Sequence, residues 1–293
     1  MADHEFGGQH TELKLSIVES YLKAYTQALR SQFKELWYID AFAGTGTRTV
    51  RTVEKGGGLF EERVIELVDV RRGSATIALD VHPSFDRLVF IESNPAYCAE
   101  LRSLASRYPD RNIAIVEGDA NRAIQSQIRS DGWRSARGVL FLDPYGMEVE
   151  WTTLEAVAAT KAIDVWFLFP LAGLYRQATR CLTDIDRHKR AALTRMFGSD
   201  RWEEELYPKG VVQADMFGET PERQRIDDVA GLEQYAQRRL ETIFSKVLKP
   251  LALPVDTKPQ RFSLFLCISN PERKAIGLAT RIGNHILKTG ISS

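Results

Sequence analysis

LWYIDAFAGTGTR, residues Leu36–Arg48, decides how the chain is read. Leu36–Ala41 is an apolar run interrupted only by Asp40, the pattern of a strand buried on both faces. Gly44 and Gly46 follow at once, and glycine lets a backbone turn sharply and lie close to a ligand. In open α/β sheets the carboxyl ends of the strands are where ligands bind. The spacing is not the dinucleotide G-x-G-x-x-G, because position 49 is Thr, and no Gly-Lys-Ser/Thr of a P-loop occurs.

The same punctuation recurs downstream. Arg87–Ile91 (RLVFI) reads as a second strand ending in Glu92, and Asn94-Pro95 then caps and opens a helix to about Arg107. Asn112–Val116 (NIAIV) is a third strand, followed by Glu117-Gly118-Asp119. Gly138–Leu142 is a fourth, running into Asp143-Pro144-Tyr145-Gly146, and Ala162–Phe169 is a fifth, stopped by Pro170. Leu13–Leu29, Asn121–Arg129 and Trp151–Thr160 have helical spacing. Gly73-Ser74 reads as a helix start, with Ser74 capping Ala75–Asp80. Thr45–Val70, with three glycines at Gly56–Gly58, reads as a loop or hairpin. Strands alternating with helices predict a doubly wound, Rossmann-like α/β fold with a mainly parallel sheet.

The rhythm breaks after Pro170. Asp186–Phe197, Asp200–Leu206 and Gly231–Leu248 read as helical, and Gly210–Asp227 as a polar loop. Arg261–Ile268 is a last strand, and Glu272–Lys288 a closing helix with Gly290 at its end. The expected division is therefore a Rossmann-like cofactor-binding core over 1–170, a mainly helical insertion or cap over 171–260, and a returning strand and helix over 261–293.

With 44% hydrophobic and 27% charged residues, the composition is that of an ordinary globular protein. Lys+Arg and Asp+Glu both number 39, so no bulk positive charge points to nucleic acid, although a local patch remains compatible. No apolar run predicts a membrane span or signal core. Cys98, Cys181 and Cys267 have neither metal-ligand nor disulfide spacing, which fits a reducing cytosol, and His82, His188 and His285 are scattered. The expected location is cytoplasmic.

The acids at the strand ends carry the chemistry. Glu92 closes the second strand, where an acid accepts both hydroxyls of a ribose. Asp119 follows the third, where an acid accepts from an adenine amino group, and Asp40 ends the first, placed for an ammonium. The turn Ala41-Phe42-Ala43-Gly44-Thr45-Gly46 presents backbone amides to a carboxylate or phosphate. A ligand with an amino-acid end, a ribose and an adenine is S-adenosylmethionine. Each feature alone is ordinarily a turn or a cap; four in order, at consecutive strand ends, describe one pocket.

Asp143, Pro144 and Tyr145 form the candidate reaction site. An exocyclic amine on a base is a poor nucleophile because its lone pair is delocalised, and a carboxylate or carbonyl accepting its N–H bonds raises its electron density. Asp143 is the acceptor, Pro144 fixes a carbonyl, and Tyr145 stacks on the base. Arg176 and Arg180, at i, i+4 spacing on an expected helix, are candidates for gripping a substrate phosphate, with a solvated face as the alternative. Trp133, Trp166 and Phe167 read as core.

These residues resemble a known family. Lys14-Leu15 with Tyr21-Leu22, Tyr38–Gly46, Gly73-Ser74, Phe141–Gly146 with Trp151, and Phe169-Pro170 look like the bacterial three-Cys-motif partner proteins (TcmP), over roughly residues 10–180. That resemblance implies a methyltransferase-like fold and a protein partner, a radical-S-adenosylmethionine-like protein carrying three cysteines. A more distant similarity is to RlmJ-type adenine-N6 methyltransferases acting on 23S rRNA. It implies that Lys14, Gly44, Ser74, Glu92 and Asp119 line the cofactor pocket and that Asp143 meets the target amine. The chain departs from that pattern: the amino-methyltransferase motif is Asp-Pro-Pro-Tyr/Phe, whereas Tyr145 follows Pro144 directly here.

The expected function is thus transfer of a methyl group from S-adenosylmethionine to an amine of nucleic acid, adenine N6 being favoured. One alternative is a methyltransferase-shaped scaffold for the three-cysteine protein, without turnover. Another is methylation of a protein or small molecule.

Overall fold

The computed structural model describes residues 9–58, 61–129, 131–208, 223–225 and 227–289. Apart from 223–225 and 227, the loop expected over Gly210–Asp227 lies outside them, as does the helix end at Gly290. In chain order the elements begin α1 (Gln9–Leu29), β1 (Glu35–Asp40), β2 (Thr47–Gly58), β3 (Glu61–Arg72), α2 (Ser74–Asp80), β4 (Arg87–Glu92), α3 (Pro95–Ala105), β5 (Ile113–Glu117), α4 (Ala120–Ile128) and β6 (Ala136–Leu142). They continue with α5 (Trp151–Ala159), β7 (Ile163–Phe169), α6 (Leu171–Gln177), α7 (Arg187–Phe197), α8 (Trp202–Leu206), α9 (Val229–Glu241), β8 (Lys246–Val247), β9 (Leu251–Leu253), β10 (Phe262–Ile268) and α10 (Arg273–Thr289). The chain is mixed α/β and forms two compact units, one of Met1–Ala123, Ser135–Phe141 and Arg281–Ser293, the other of Ile124–Arg134 and Leu142–Thr280.

In the first unit β1 pairs in parallel with β4 on one side and β6 on the other, and β4 pairs in parallel with β5. The order is β5-β4-β1-β6. Numbered among themselves, these strands run third, second, first, fourth, an arrangement compatible with a Rossmann-like fold. The strand order reverses between β1 and β6, and such a switch point leaves a crevice at the carboxyl ends of the strands. β1 and β4 are buried along almost their whole length, as their unbroken apolar runs require, while the edge strand β5 is only half-buried. Ile17, Val18, Tyr21, Leu22 and Tyr25 form the buried stripe of α1, and the Tyr25 hydroxyl donates to the Gly138 carbonyl of β6 at 3.1 Å.

The stretch expected to be a loop or hairpin is a hairpin: β2 and β3 pair antiparallel from Thr47 opposite Arg72 to Gly58 opposite Glu61. The expected cap at Ser74 falls one residue earlier, on Gly73. The Gly73 amide donates to the Gly46 carbonyl at 2.9 Å, and a Cβ on Gly73 would stand 2.8 Å from that oxygen. The two backbones pass so closely that the cap position has no room for a side chain. Asn94 caps α3 as expected, its side chain accepting from the Ala96 amide, with Pro95 in the first turn.

In the second unit β10 pairs antiparallel with β7, β8 and β9. The helix read over Gly231–Leu248 ends at Glu241, and the chain then enters β8. Trp133, Trp166 and Phe167 are buried.

Candidate functional site

The turn after β1 is woven into the first unit's sheet. The Ala41 amide donates to the Phe141 carbonyl at 3.1 Å and the Ala43 amide to the Ile91 carbonyl at 3.0 Å, so the chain leaving β1 stays bonded to both neighbouring strands. The Phe42 amide turns back to Asp40 Oδ1 at 3.3 Å. The Gly44 amide donates to Glu92 Oε2 at 3.0 Å, and the Gly46 amide to the Ala43 carbonyl at 3.3 Å. These amides are therefore already satisfied, as buried backbone groups must be. From sequence the amides of this turn were expected to meet an anionic ligand; in the folded chain these five are bonded within the protein.

Gly46 anchors the far end of the turn. Its φ of +75° is a left-handed conformation, and a Cβ there would stand 2.5 Å from Leu104 Cδ2. Its carbonyl accepts from the Gly73 amide and, at 2.6 Å, from the Thr76 hydroxyl, which fastens α2 to the turn. Ser74 is the first residue of α2, beside this junction.

Glu92 is the hub. It is buried, with 5% of its surface exposed, and its second oxygen accepts from the Asn94 amide at 2.8 Å. One carboxylate thus holds both the glycine turn after β1 and the entry to α3. The Ser93 hydroxyl also donates to that second oxygen, at 3.4 Å, so three donors meet a carboxylate that offers roughly four lone-pair positions, and acceptor capacity for about one more donor remains. The Glu92 carbonyl accepts from the Gly118 amide at 3.0 Å, which ties in the turn after β5. It also accepts from Cys98 Sγ at 3.3 Å, and burial pushes the Cys98 thiol pKa up.

Asp119 is exposed and follows that turn. One of its oxygens, Oδ1, accepts from the Arg122 amide at 3.0 Å and caps α4. Among the described residues nothing in the protein donates to Oδ2, which leaves that oxygen open as an acceptor. Asp40 has no exposed surface; the Tyr38 hydroxyl donates to its Oδ2 at 3.4 Å. Its carboxylate is covered by protein and fastens the turn through the Phe42 amide. Lys14 is buried on α1 and engaged within the protein, and Phe42 is half-buried.

Asp143, Pro144 and Tyr145 belong to the second unit, directly after β6 in the chain. Asp143 is half-buried, Pro144 buried and Tyr145 70% exposed, the presentation a stacking face requires. Phe141, two residues before Asp143, is the register partner of Asp40. Arg176 and Arg180 are both exposed, but they do not share a helix: α6 ends at Gln177 and Arg180 lies in the following segment. The i, i+4 reading fails because the chain turns at Ala178 to pair with residues 223–225. Sequence reasoning passed over Tyr175, on α6 and 46% exposed, beneath the guanidinium of Arg225 at 4.7 Å. No local signal joins residues fifty positions apart.

Among the described residues no group of His, Cys, Asp and Glu could hold a metal ion, and no helix is long and apolar enough to cross a membrane. Neither a family model nor a curated protein matches the chain. The fold is similar to that of the Legionella pneumophila str. Philadelphia 1 protein LPL1258, described by the family model DUF519, with a TM-score of 0.53 at 12% identity over 96% of this chain and 92% of that one. A conserved hypothetical protein of Streptococcus pyogenes aligns over 50% of this chain and 76% of its own, at 16% identity and a TM-score of 0.28.

Proposed function

We propose that the chain is an S-adenosylmethionine-dependent methyltransferase acting on an amine of nucleic acid, with adenine N6 the favoured acceptor. The observation that carries this reading is the Glu92 hub: a buried acid at the end of β4 that clasps the glycine turn at the strand-order switch. Bound S-adenosylmethionine supplies the activated methyl group. In this reading Glu92 would hold the ribose and Asp119 the adenine amino group. Gly44, where a Cβ would meet nothing within 4 Å, lets the ligand lie against the turn. Asp40 and Lys14, both buried, stay with the protein and hold the turn and α1 in shape.

In this reading Asp143 would accept an N–H bond of the acceptor amine, the Pro144 carbonyl would take the second N–H, and Tyr145 would stack on the base. The protein's contribution is alignment of nucleophile and leaving sulfur, the effect by which oriented groups gain most. Incubation with methyl-labelled cofactor and single-stranded RNA or DNA tests the reading. Asp143→Ala should abolish label transfer and leave cofactor binding within about twofold, well under 1 kcal/mol. Equal loss of binding would remove the role given to Asp143.

A second reading is favoured by the closed state of Asp40 and by the single proline of Asp-Pro-Tyr-Gly: a methyltransferase-shaped partner of a three-cysteine protein, without turnover. It predicts cofactor binding with no label transfer to any nucleic acid.

A further inference from the structure

Large apolar side chains are seldom left in water, and among the described residues Tyr97, Tyr145, Tyr175 and Val255 are the exposed ones. Two of these four stand in the segments that directly follow β6 and β7. The segments touch: a Cβ on Gly173 of α6 would lie 3.5 Å from Cγ of Met147, two residues after Tyr145. Arg176, three residues beyond Gly173, lies on the same face of α6, and Tyr175 on the other side.

Tyr175 is held in place. The Arg225 guanidinium covers its ring at 4.7 Å, and Arg225 Nη1 donates to the Asp227 carbonyl at 2.7 Å. The Arg225 amide donates to the Arg180 carbonyl at 2.7 Å, beside an antiparallel bridge between Cys181 and Gln224. Arg180 thus lies opposite Arg225 across two paired segments. Like charges in that position repel. Arg225 is bonded to the Asp227 carbonyl and to the Tyr207 side chain, neither of them a carboxylate, and among the described residues Arg176 and Arg180 have no acidic partner. A paired arginine couple beside an exposed aromatic ring is relieved by an anion that carries a flat group.

We infer that Tyr175, backed by Arg225, is a second base-stacking platform, and that with Arg176 and Arg180 it forms a track for a single-stranded nucleic acid entering at Tyr145. Aromatic faces stack on any unpaired base, and arginines follow the phosphates. Met147 brings the Tyr145 segment to one face of α6 while Tyr175 stands on another, and a helix with its side chains is about 10 Å across, a span for a few nucleotides rather than for one small molecule. The base pairs of a duplex hide the faces this track reads. The inference rests on the methyl-transfer reading only in taking Tyr145 as the ring beside the target base.

Short RNA and DNA oligonucleotides carrying 2-aminopurine test it, single-stranded and annealed, with cofactor binding measured separately by equilibrium dialysis. Stacking on tyrosine quenches the probe. Tyr175→Ala should weaken single-strand binding about tenfold, within the range for losing one stacking partner, and abolish part of the quenching. Tyr175→Phe should retain both. Arg180→Ala should reduce the slope of log affinity against log salt by about 0.7, the value for one phosphate on a single strand. RNA and DNA bound alike would indicate that the 2′-hydroxyl is not read, and the platform stands in either case. Duplex bound as tightly as single strand, or Tyr175→Ala equal to wild type, overturns the inference. Stacking without cofactor binding would sink the methyltransferase reading and leave the platform; cofactor binding without stacking would do the reverse.

Discussion

Replacing either glycine of the turn by alanine separates folding from ligand binding. Gly44 and Gly46 both have positive φ, +58° and +75°, so either alanine carries the left-handed cost, about 1–2 kcal/mol per residue. Their surroundings differ. At Gly44 a Cβ meets nothing within 4 Å, whereas at Gly46 it meets Leu104 Cδ2 at 2.5 Å, Leu101 Cδ2 at 3.4 Å and Ala75 Cβ at 3.5 Å. Leu101 and Leu104 are themselves buried, so the intrusion adds an overpacking cost of about 1–3 kcal/mol. Gly46→Ala should then lose about 2–5 kcal/mol, a large share of the roughly 5–15 kcal/mol by which a domain is stable. Gly44→Ala should lose no more than about 2 kcal/mol. Its methyl group projects instead into the space given to the cofactor, so S-adenosylmethionine affinity should fall at least about tenfold, or 1.4 kcal/mol. Urea unfolding gives the first pair of values and equilibrium dialysis the second. Equal destabilisation by the two alanines would refute the packing argument. Unchanged affinity in Gly44→Ala would refute the placement of the ligand against the turn.

Two further outcomes follow from buried hydrogen bonds. Glu92→Gln keeps the shape of the hub but turns one oxygen into a donor that faces a backbone amide; losing one bond to a charged acceptor should cost about 1.5–3 kcal/mol in urea unfolding, and a change under a few tenths would show that the clasp does not hold the turn. Burial pushes the Tyr207 pKa up from 10.0 to about 12, so its neutral form contributes stability that is fully present below pH 10 and lost as pH rises to about 12. Tyr207→Phe should therefore make the fall in unfolding midpoint across that window shallower, and an identical fall would contradict the assignment.

The parallel strands and the acids that end them were legible because a doubly covered strand must be apolar throughout, so any acid at its end stands out. Leu36–Asp40 and Arg87–Glu92 show this directly, and Ile113–Glu117, half-buried at the sheet edge, keeps the apolar run and its closing acid. The Asn94-Pro95 start of α3 was legible because a cap and its bond lie within two residues. What failed depended on distant partners. The cap moved from Ser74 to Gly73 because Gly46, nearly thirty residues earlier, passes against it. Arg180 left α6 because residues near 224 draw the chain into a bridge. The satisfied amides of Ala41–Gly44 and Gly46 follow in large part from neighbours that composition cannot assign to β1. β8 and β9, of two and three residues, are too short to carry a period and exist because β10 offers an edge.

Asp119→Asn tests the central claim most directly. Asparagine caps a helix as well as aspartate does, so Oδ1 keeps its bond to the Arg122 amide and the unfolding midpoint should not move. The other position becomes an NH₂ group, a donor set against the amino group of adenine. Equilibrium dialysis with labelled S-adenosylmethionine should give saturable binding of one ligand to the wild-type chain, weakened at least about tenfold in the variant. No saturable binding to the wild type, or the same affinity in both proteins, would contradict the account.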